Sequence, residues 1–276
     1  MKKISVNVVA LWVIGAMLAV MLCSTVAFAN VRVLGKLTHE MTVLSGQKVH
    51  GSIVLANSGS IPIEVDIELR DYTFSADGTD DYLEPGTNAR SNARWLVVAP
   101  ARLVVPARQL GIVYYTVSVP NDPTLKGTYW SILLIKPKTD AQMVMFQSKG
   151  GFMLGIQTNL EYGVQLVTNI GSTGSKSLRI MDRKVVRDQD GYYSLWFALE
   201  NSGERWIRPE IRVEVYDMSG ALVGKYSGDR LRLYPGTSVA SRIALGILPR
   251  GRYKAVLIID DGGSSVWAAQ YIWTIS

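Results

Sequence analysis

The stretch from Phe152 to Val167, FMLGIQTNLEYGVQLV, constrains this chain more than any other. Phe152, Leu154, Ile156, Leu160, Tyr162, Val164 and Leu166 share one parity, interrupted only by Thr158, while Gly155, Gln157, Asn159, Glu161, Gly163 and Gln165 share the other. Strand side chains alternate between two faces, whereas a helix would scatter these residues around its girth. The spacing therefore predicts one long strand. At about 3.3 Å per residue it would reach roughly 50 Å, against a usual strand of about 5 to 6 residues, enough to run the height of one domain and into a second. Two readings stay open: the apolar row packs inside its own sandwich, or it helps to hold an extended guest peptide.

The first residues predict export. Lys2 and Lys3 precede an apolar run from Val8 to Leu22, then Ala27, Phe28 and Ala29, with no acidic residue before Asn30. A charged start, an apolar centre and small residues before the cut make a cleavable signal peptide, residues 1–29, and place the mature protein in the periplasm. The apolar run falls short of the ~20 residues that span a bilayer. Cys23 follows Leu22, where lipid attachment wants a small residue, and as the only cysteine it leaves with the signal. The mature chain then has no thiol for a disulfide, a metal or a nucleophile, and is held by packing alone. The Lys and Arg of the full sequence, 29 against 23 acids and two of them lost with the signal, are interleaved with those acids and form no nucleic-acid-binding stripe.

From Val31 to Ile135 short apolar runs are cut by turn residues. Thr42 to Leu44, Val49 to Ala56, Ile61 to Leu69, Trp95 to Val98, Leu103 to Val105, Ile112 to Val119 and Tyr129 to Ile135 read as strands, with a polar loop over Ser75 to Arg94. A second loop, Lys136 to Gly151, carries Met143, Val144, Met145 and Phe146. After the long strand the tract from Asn169 to Lys176 marks a boundary, giving domains at 30–168 and 169–276. Beyond it, runs at Leu178 to Val186, Tyr192 to Leu199, Ile211 to Tyr216, Ala221 to Tyr226, Ser238 to Leu245, Tyr253 to Ile259 and Ser265 to Thr274 predict a second set of strands. Connections too short for helical crossovers make the class all-β, with two Ig-like sandwiches in tandem.

The halves share punctuation. Leu55, Asn57, Ser58, Gly59 recurs as Leu199, Asn201, Ser202, Gly203; Gly127, Thr128, Tyr129 recurs as Gly251, Arg252, Tyr253; and Pro106 and Pro235 each precede an alternating strand. A Tyr opening a late strand of a sandwich suggests a tyrosine corner.

The residues offer no catalytic constellation, so an enzyme is not expected. His39 and His50 have no neighbouring ligands spaced for zinc, which needs three or four converging N, S or O donors. Gly-x-Ser-x-Gly, a phosphate loop and a dinucleotide fingerprint are all missing from the sequence. Asp77, Asp80, Asp81 and Glu84 read as a solvated loop before a calcium site. No metal, cofactor or small-molecule substrate is expected.

Several weak motifs between Asn57 and Val167 add up. Pro100, Leu103 and Pro106 stand before an apolar strand; Pro120, Asp122, Tyr129, Trp130, Ser131 and Pro137 bracket another; and FMLGIQTNLEYGVQL follows without a gap. Together they resemble the first domain of the periplasmic chaperones of the usher pathway of pilus assembly. That resemblance implies two Ig-like sandwiches set in an L and a seventh strand that lends alternate apolar side chains to an incomplete secreted or pilus subunit by strand addition. It also implies an outer-membrane usher as a further partner. Carried over, the donor row is Phe152, Leu154, Ile156 and Leu160, and the loop with Met143, Met145 and Phe146 is its adaptable approach, methionine being able to repack against varied surfaces. The family's two basic anchors for the subunit's terminal carboxylate fall here on Met41 and Glu161, with Lys36 and His39 nearby as substitutes. A carboxylate at Glu161 would repel another. The other function class that fits is a structural or adhesive envelope module without chaperone activity.

Overall fold

The computed structural model describes residues 31–138, 142–147, 153–158 and 160–275, the two short stretches by their backbone. The chain is all-β, two Ig-like sandwiches in tandem. In the first, β1 (Val31–Leu34), β3 (Lys48–Asn57), β8 (Leu110–Ser118) and β6 (Leu96–Ala99) form one sheet in that order. Against it lies a sheet ordered β2 (Thr38–Val43), β12 (Tyr162–Ile170), β9 (Gly127–Pro137), β4 (Ile63–Phe74) and β5 (Asp80–Leu83), with β7 (Arg102–Val105) also paired to β4. A separate hairpin joins β10 (Gln142–Gln147) to β11 (Met153–Thr158). In the second sandwich β13 (Leu178–Arg187), β14 (Tyr193–Asn201) and β17 (Ser238–Gly246) oppose β16 (Leu222–Ser227), β15 (Glu210–Asp217), β18 (Gly251–Asp260) and β19 (Val266–Ile275).

Alternation builds both cores. Ile53 and Leu55, Val113 and Val117, Leu133 and Ile135, and Val164 and Leu166 fill the first; Leu195, Phe197, Leu199, Val213, Val215, Leu257 and Ile259 fill the second. Each such side chain contributes about 1.5–3 kcal/mol by leaving water.

The repeated Asn is one device used twice. Asn57 Nδ2 donates to Ile61 O (2.7 Å) and Val105 O (3.0 Å), and its Oδ1 accepts from Gly59 N (2.9 Å). Asn201 Nδ2 donates to Arg205 O (2.7 Å) and Leu233 O (3.0 Å), and its Oδ1 accepts from Gly203 N (2.9 Å). Both side chains are buried, so each amide satisfies carbonyls that water cannot reach. The same correspondence corrects the proline match. Val105 aligns with Leu233, so Pro106 aligns with Tyr234, and what recurs is the positive φ two residues further on, at Arg108 (58°) and Gly236 (75°). Tyr253 makes the tyrosine corner, its hydroxyl donating to Pro249 O at 2.8 Å. Tyr129 does not: its ring lies 4.6 Å from that of Trp95, with the Arg90 guanidinium over it.

Three further expectations need correction. The polar loop after Phe74 holds β5, paired with β4 from Asp71↔Leu83 to Phe74↔Asp80. The approach loop is a strand: Met143, Met145 and Phe146 lie in β10, paired with β11. Its run QMVMFQ has too little alternation to announce a strand, and pairing supplies what propensity does not. The long strand is interrupted, since Leu160 and Glu161 lie between β11 and β12. Residues 1–30, with the expected signal peptide and Asn30, lie outside the described residues, as do Phe152 and Asn159. Among the described residues no helix is long and apolar enough to cross a membrane.

A third apolar cluster joins the sandwiches: Trp130, Val167 and Tyr234 are buried together, with Phe74 and Trp206 packed on them. Thr128 N donates to Glu204 O (2.8 Å) and Trp206 N to Thr128 Oγ1 (3.1 Å). Gly127, at φ 77°, is required there, because a Cβ would sit 2.1 Å from Glu204 O.

Candidate strand-binding edge

β12 has two partners over only part of its length. It pairs with β9 throughout, from Tyr162↔Ile135 to Ile170↔Gly127. On its other side β2 runs parallel to it and begins at Thr38, opposite Gln165. Gln165 N donates to Leu37 O at 2.9 Å, toward β2. Ladder bonds alternate in direction along a strand, so the main chain of Gly163, two residues back, points to the same side, beyond the start of β2. Among the described residues no strand pairs there, and none pairs with β11 on the side away from β10. The result is a lane in the sheet, continuous with the position of β2, without a strand in it.

The apolar row divides along this lane. Val164 and Leu166 are fully buried and belong to the first core, and Tyr162 packs on it. Leu160 is 54% exposed. Leu154 and Ile156 stand on β11 opposite Phe146 and Val144 in register, whereas Met143 and Met145 stand opposite Gln157 and Gly155.

The anchor positions do not converge. Met41 lies on β2 opposite Thr168 and packs against the first core. Glu161 is seven positions from Thr168 in the chain, roughly 23 Å along a strand. It is exposed and borders a recess of about 430 Å³ with Glu68, Arg70, Tyr82, Lys136 and Gly163. Lys136 pairs with Glu68, which raises its pKa, and the charge of Glu161 adds to that effect. Glu161 therefore faces a cation of its own chain, a compensation that spacing alone did not reveal.

Cations gather at the other end of the lane. A groove of about 1030 Å³ between the sandwiches is lined by Lys36, Leu37, Thr38 and His39 at the start of β2 and by Trp206, Arg208 and Arg232 of the second sandwich. His39 Nδ1 shares a hydrogen bond with the Tyr115 hydroxyl (2.8 Å) and Nε2 one with Lys36 O (3.1 Å). Burial holds the His39 pKa below its ordinary 6.5. Arg232 donates to Gln165 Oε1 (2.7 Å), which also accepts from the Tyr234 hydroxyl (2.8 Å) and Thr38 Oγ1 (3.2 Å). Arg232 Nε is buried without a partner. Arg208 and Arg232 escaped sequence reasoning because they lie in loops of the second half. Nothing in their spacing marks them, and the matching positions of the first half are Glu64 and Val104.

Among the described residues no three His, Cys, Asp or Glu side chains stand together as metal ligands. His50 hydrogen-bonds Thr116 Oγ1 (2.8 Å), and Asp77 accepts from Thr79 N (3.0 Å) within its own turn.

No family model matches the chain, and no curated protein matches it in sequence. Solved structures of fimbrial chaperones are similar to it. A chain of the chaperone–tip adhesin complex of CFA/I fimbriae has a TM-score of 0.47 at 12% identity, over 88% of this chain and 98% of that one. The class 5 fimbriae chaperone CfaA gives 0.46 at 11%, over 90% and 100%. The CsuC–CsuE chaperone–tip subunit complex from archaic chaperone-usher Csu pili of Acinetobacter baumannii gives 0.45 at 14%, over 88% and 98%.

Proposed function

We propose that this protein is a non-enzymatic, chaperone-type binding protein of the periplasm, which holds an extended strand of a secreted or pilus subunit by strand addition. One observation carries the reading: β12 pairs with β9 at Tyr162, Gly163 and Val164 but has β2 beside it only from Gln165 onward. Unpaired main-chain donors and acceptors at a sheet edge bind an added strand through the ladder, and alternate side chains select it. The side chains in question are Phe152, Leu154, Ile156 and Leu160, with Met143, Met145 and Phe146 on or beside the adjoining strand. A guest in this lane ends where β2 begins. There Lys36, Arg208 and Arg232 rim the groove and suit an anionic chain end, which charge-assisted hydrogen bonds would fix in register. An outer-membrane usher would be the natural recipient of the subunit.

The test is co-purification of the protein with a subunit encoded beside it, for the parent chain and for Ile156→Asp and Leu160→Lys. The expected result is a stoichiometric subunit with the parent, none with either variant, and an unchanged Tm. Equal loss of Tm and binding would mean that the row is core. The absence of any subunit with the parent would favour a structural or adhesive envelope module.

A further inference from the structure

A second free edge lies in the second sandwich. β19 runs VWAAQYIWTI and pairs with β18 without a break, from Gly251↔Ile275 to Asp260↔Val266. It ends its sheet, ordered β16-β15-β18-β19, so among the described residues no strand pairs with its outer side. A long, regular, uncharged edge is a template for another chain, and proteins ordinarily blunt such edges with charge, proline, bulges or brevity.

The other edges of the two sandwiches carry those devices. β1, β5, β6 and β7 are four residues each. β16 carries Lys225, and its pairing with β15 shifts register between Val215 and Tyr216. β17 carries Arg242 and a shift between Tyr193 and Ser194 of its partner. β13, the neighbouring edge across the sandwich, carries Arg179, Asp182, Arg183, Lys184 and Arg187 and a shift at Ile180/Asp182. β19 alone among them combines ten residues with no Lys, Arg, Asp, Glu, Pro or Gly and no shift. Its outward row includes Val266 and Ile272, 60% and 55% exposed.

Charge narrows the occupant. Arg179 pairs with Glu200, but Arg183, Lys184 and Arg187 have no ion pair among the described residues. Arg183 reaches across to β19, its guanidinium 4.1 Å from the centre of the Tyr271 ring. Arg187, on the same face as Arg183, lies over Tyr193 on the adjoining strand, whereas Lys184 lies over Trp196 on the outer face of that sheet, away from β19. The open ladder is thus neutral along its length and flanked by cations on one side. A second copy joined β19 to β19 about a two-fold would bring its own β13 cations up against these, a like-charge contact.

We infer that β19 is a docking edge for an extended, acidic strand of another protein, added to the sheet by main-chain pairing and held in place by Arg183 and Arg187. The inference does not depend on the lane beside β12.

The probes are two capped ten-residue peptides, one alternating Val and Glu, the other Val and Lys, titrated into the full chain by fluorescence anisotropy. The acidic peptide should bind at least tenfold more tightly than the basic one. Ile272→Lys should abolish that binding, and Arg183→Glu with Arg187→Glu should reverse the preference, while Leu160→Lys should change neither. Equal binding of the two peptides, no binding at millimolar peptide, or binding insensitive to Ile272→Lys would overturn the inference. So would a concentration-dependent dimer in analytical ultracentrifugation that Ile272→Lys dissolves, since the occupant would then be a second copy. Circular dichroism and a Tm within 3 °C of the parent, expected on the order of the shift from a surface change of ~0.5 kcal/mol, confirm that the variants fold.

Discussion

Trp130 of the first sandwich and Tyr234 of the second lie stacked, ring centroids 4.7 Å apart and planes 10° from parallel. Trp206 stacks on Tyr234 at 5.9 Å, Phe74 meets it edge-on at 6.1 Å, and the Tyr234 hydroxyl donates to Gln165 of β12. Burial drives the Tyr234 pKa far above its ordinary value, so its hydroxyl stays protonated and donating. Tyr234→Ala should cost about 3–5 kcal/mol, the usual range for an aromatic lost from a core. Tyr234→Phe, with Arg232 and Thr38 still serving Gln165, should cost only about 1 kcal/mol. Small-angle scattering of the alanine variant should show a wider distribution of distances between the sandwiches.

Gly127→Ala should separate the sandwiches without unfolding either core. The position combines a φ of 77° with the Glu204 carbonyl where the new methyl would go. Alanine at positive φ costs about 1 kcal/mol on its own, and the clash adds to that. Hydrogen exchange at Thr128 N, now bonded to Glu204 O, is the direct readout and should accelerate.

Asn57→Ala and Asn201→Ala should be equally damaging, each about 2–3 kcal/mol, because each strands a buried carbonyl, Val105 O or Leu233 O. Urea unfolding of the two variants should give matching shifts in ΔG. Unequal shifts would show that the common geometry hides different energetics.

Stability should fall as pH drops through His39. Its folded pKa lies below the ordinary 6.5, so the unfolded chain takes up the proton first. The contribution is complete above pH 6.5, declines as pH falls through the folded pKa and levels off beneath it. Urea midpoints from pH 7.5 to 5 should show this slope, and His39→Gln should flatten it.

Val164→Asp should unfold the first sandwich, since the side chain is fully buried among Leu133, Ile135 and Leu166. A buried carboxylate without a partner costs several kcal/mol. Leu160→Lys, four residues earlier on the same parity, should leave the Tm unchanged.

Those two leucine and valine positions also show where sequence reading stops. A period of two puts Leu160 and Val164 on one face, but the strand is interrupted at Leu160, which is exposed while Val164 is buried, and the period does not say where the covering sheet ends. Asn57 and Asn201 were legible as a pair because a buried amide serving a turn demands the same local letters each time. Tyr253 was legible for the same reason. Trp130, Trp206 and Tyr234 were not, because their contact joins positions far apart in the chain, two of them in loops without periodicity. The first strand of the hairpin, β10, was missed because its pattern acquires meaning only beside β11. The acid at Glu161 looked like a fault until Lys136 stood next to it.

The start of β2 at Thr38 has one more effect. Because it occupies the lane from Gln165 onward, the proposed strand addition would make it a stop against which a visiting segment is measured. A segment of the right length would reach from β11 to the stop. A shorter one would leave rungs bare, and a longer one would have to bend away at Leu37. The chain would therefore choose its cargo partly by counting residues.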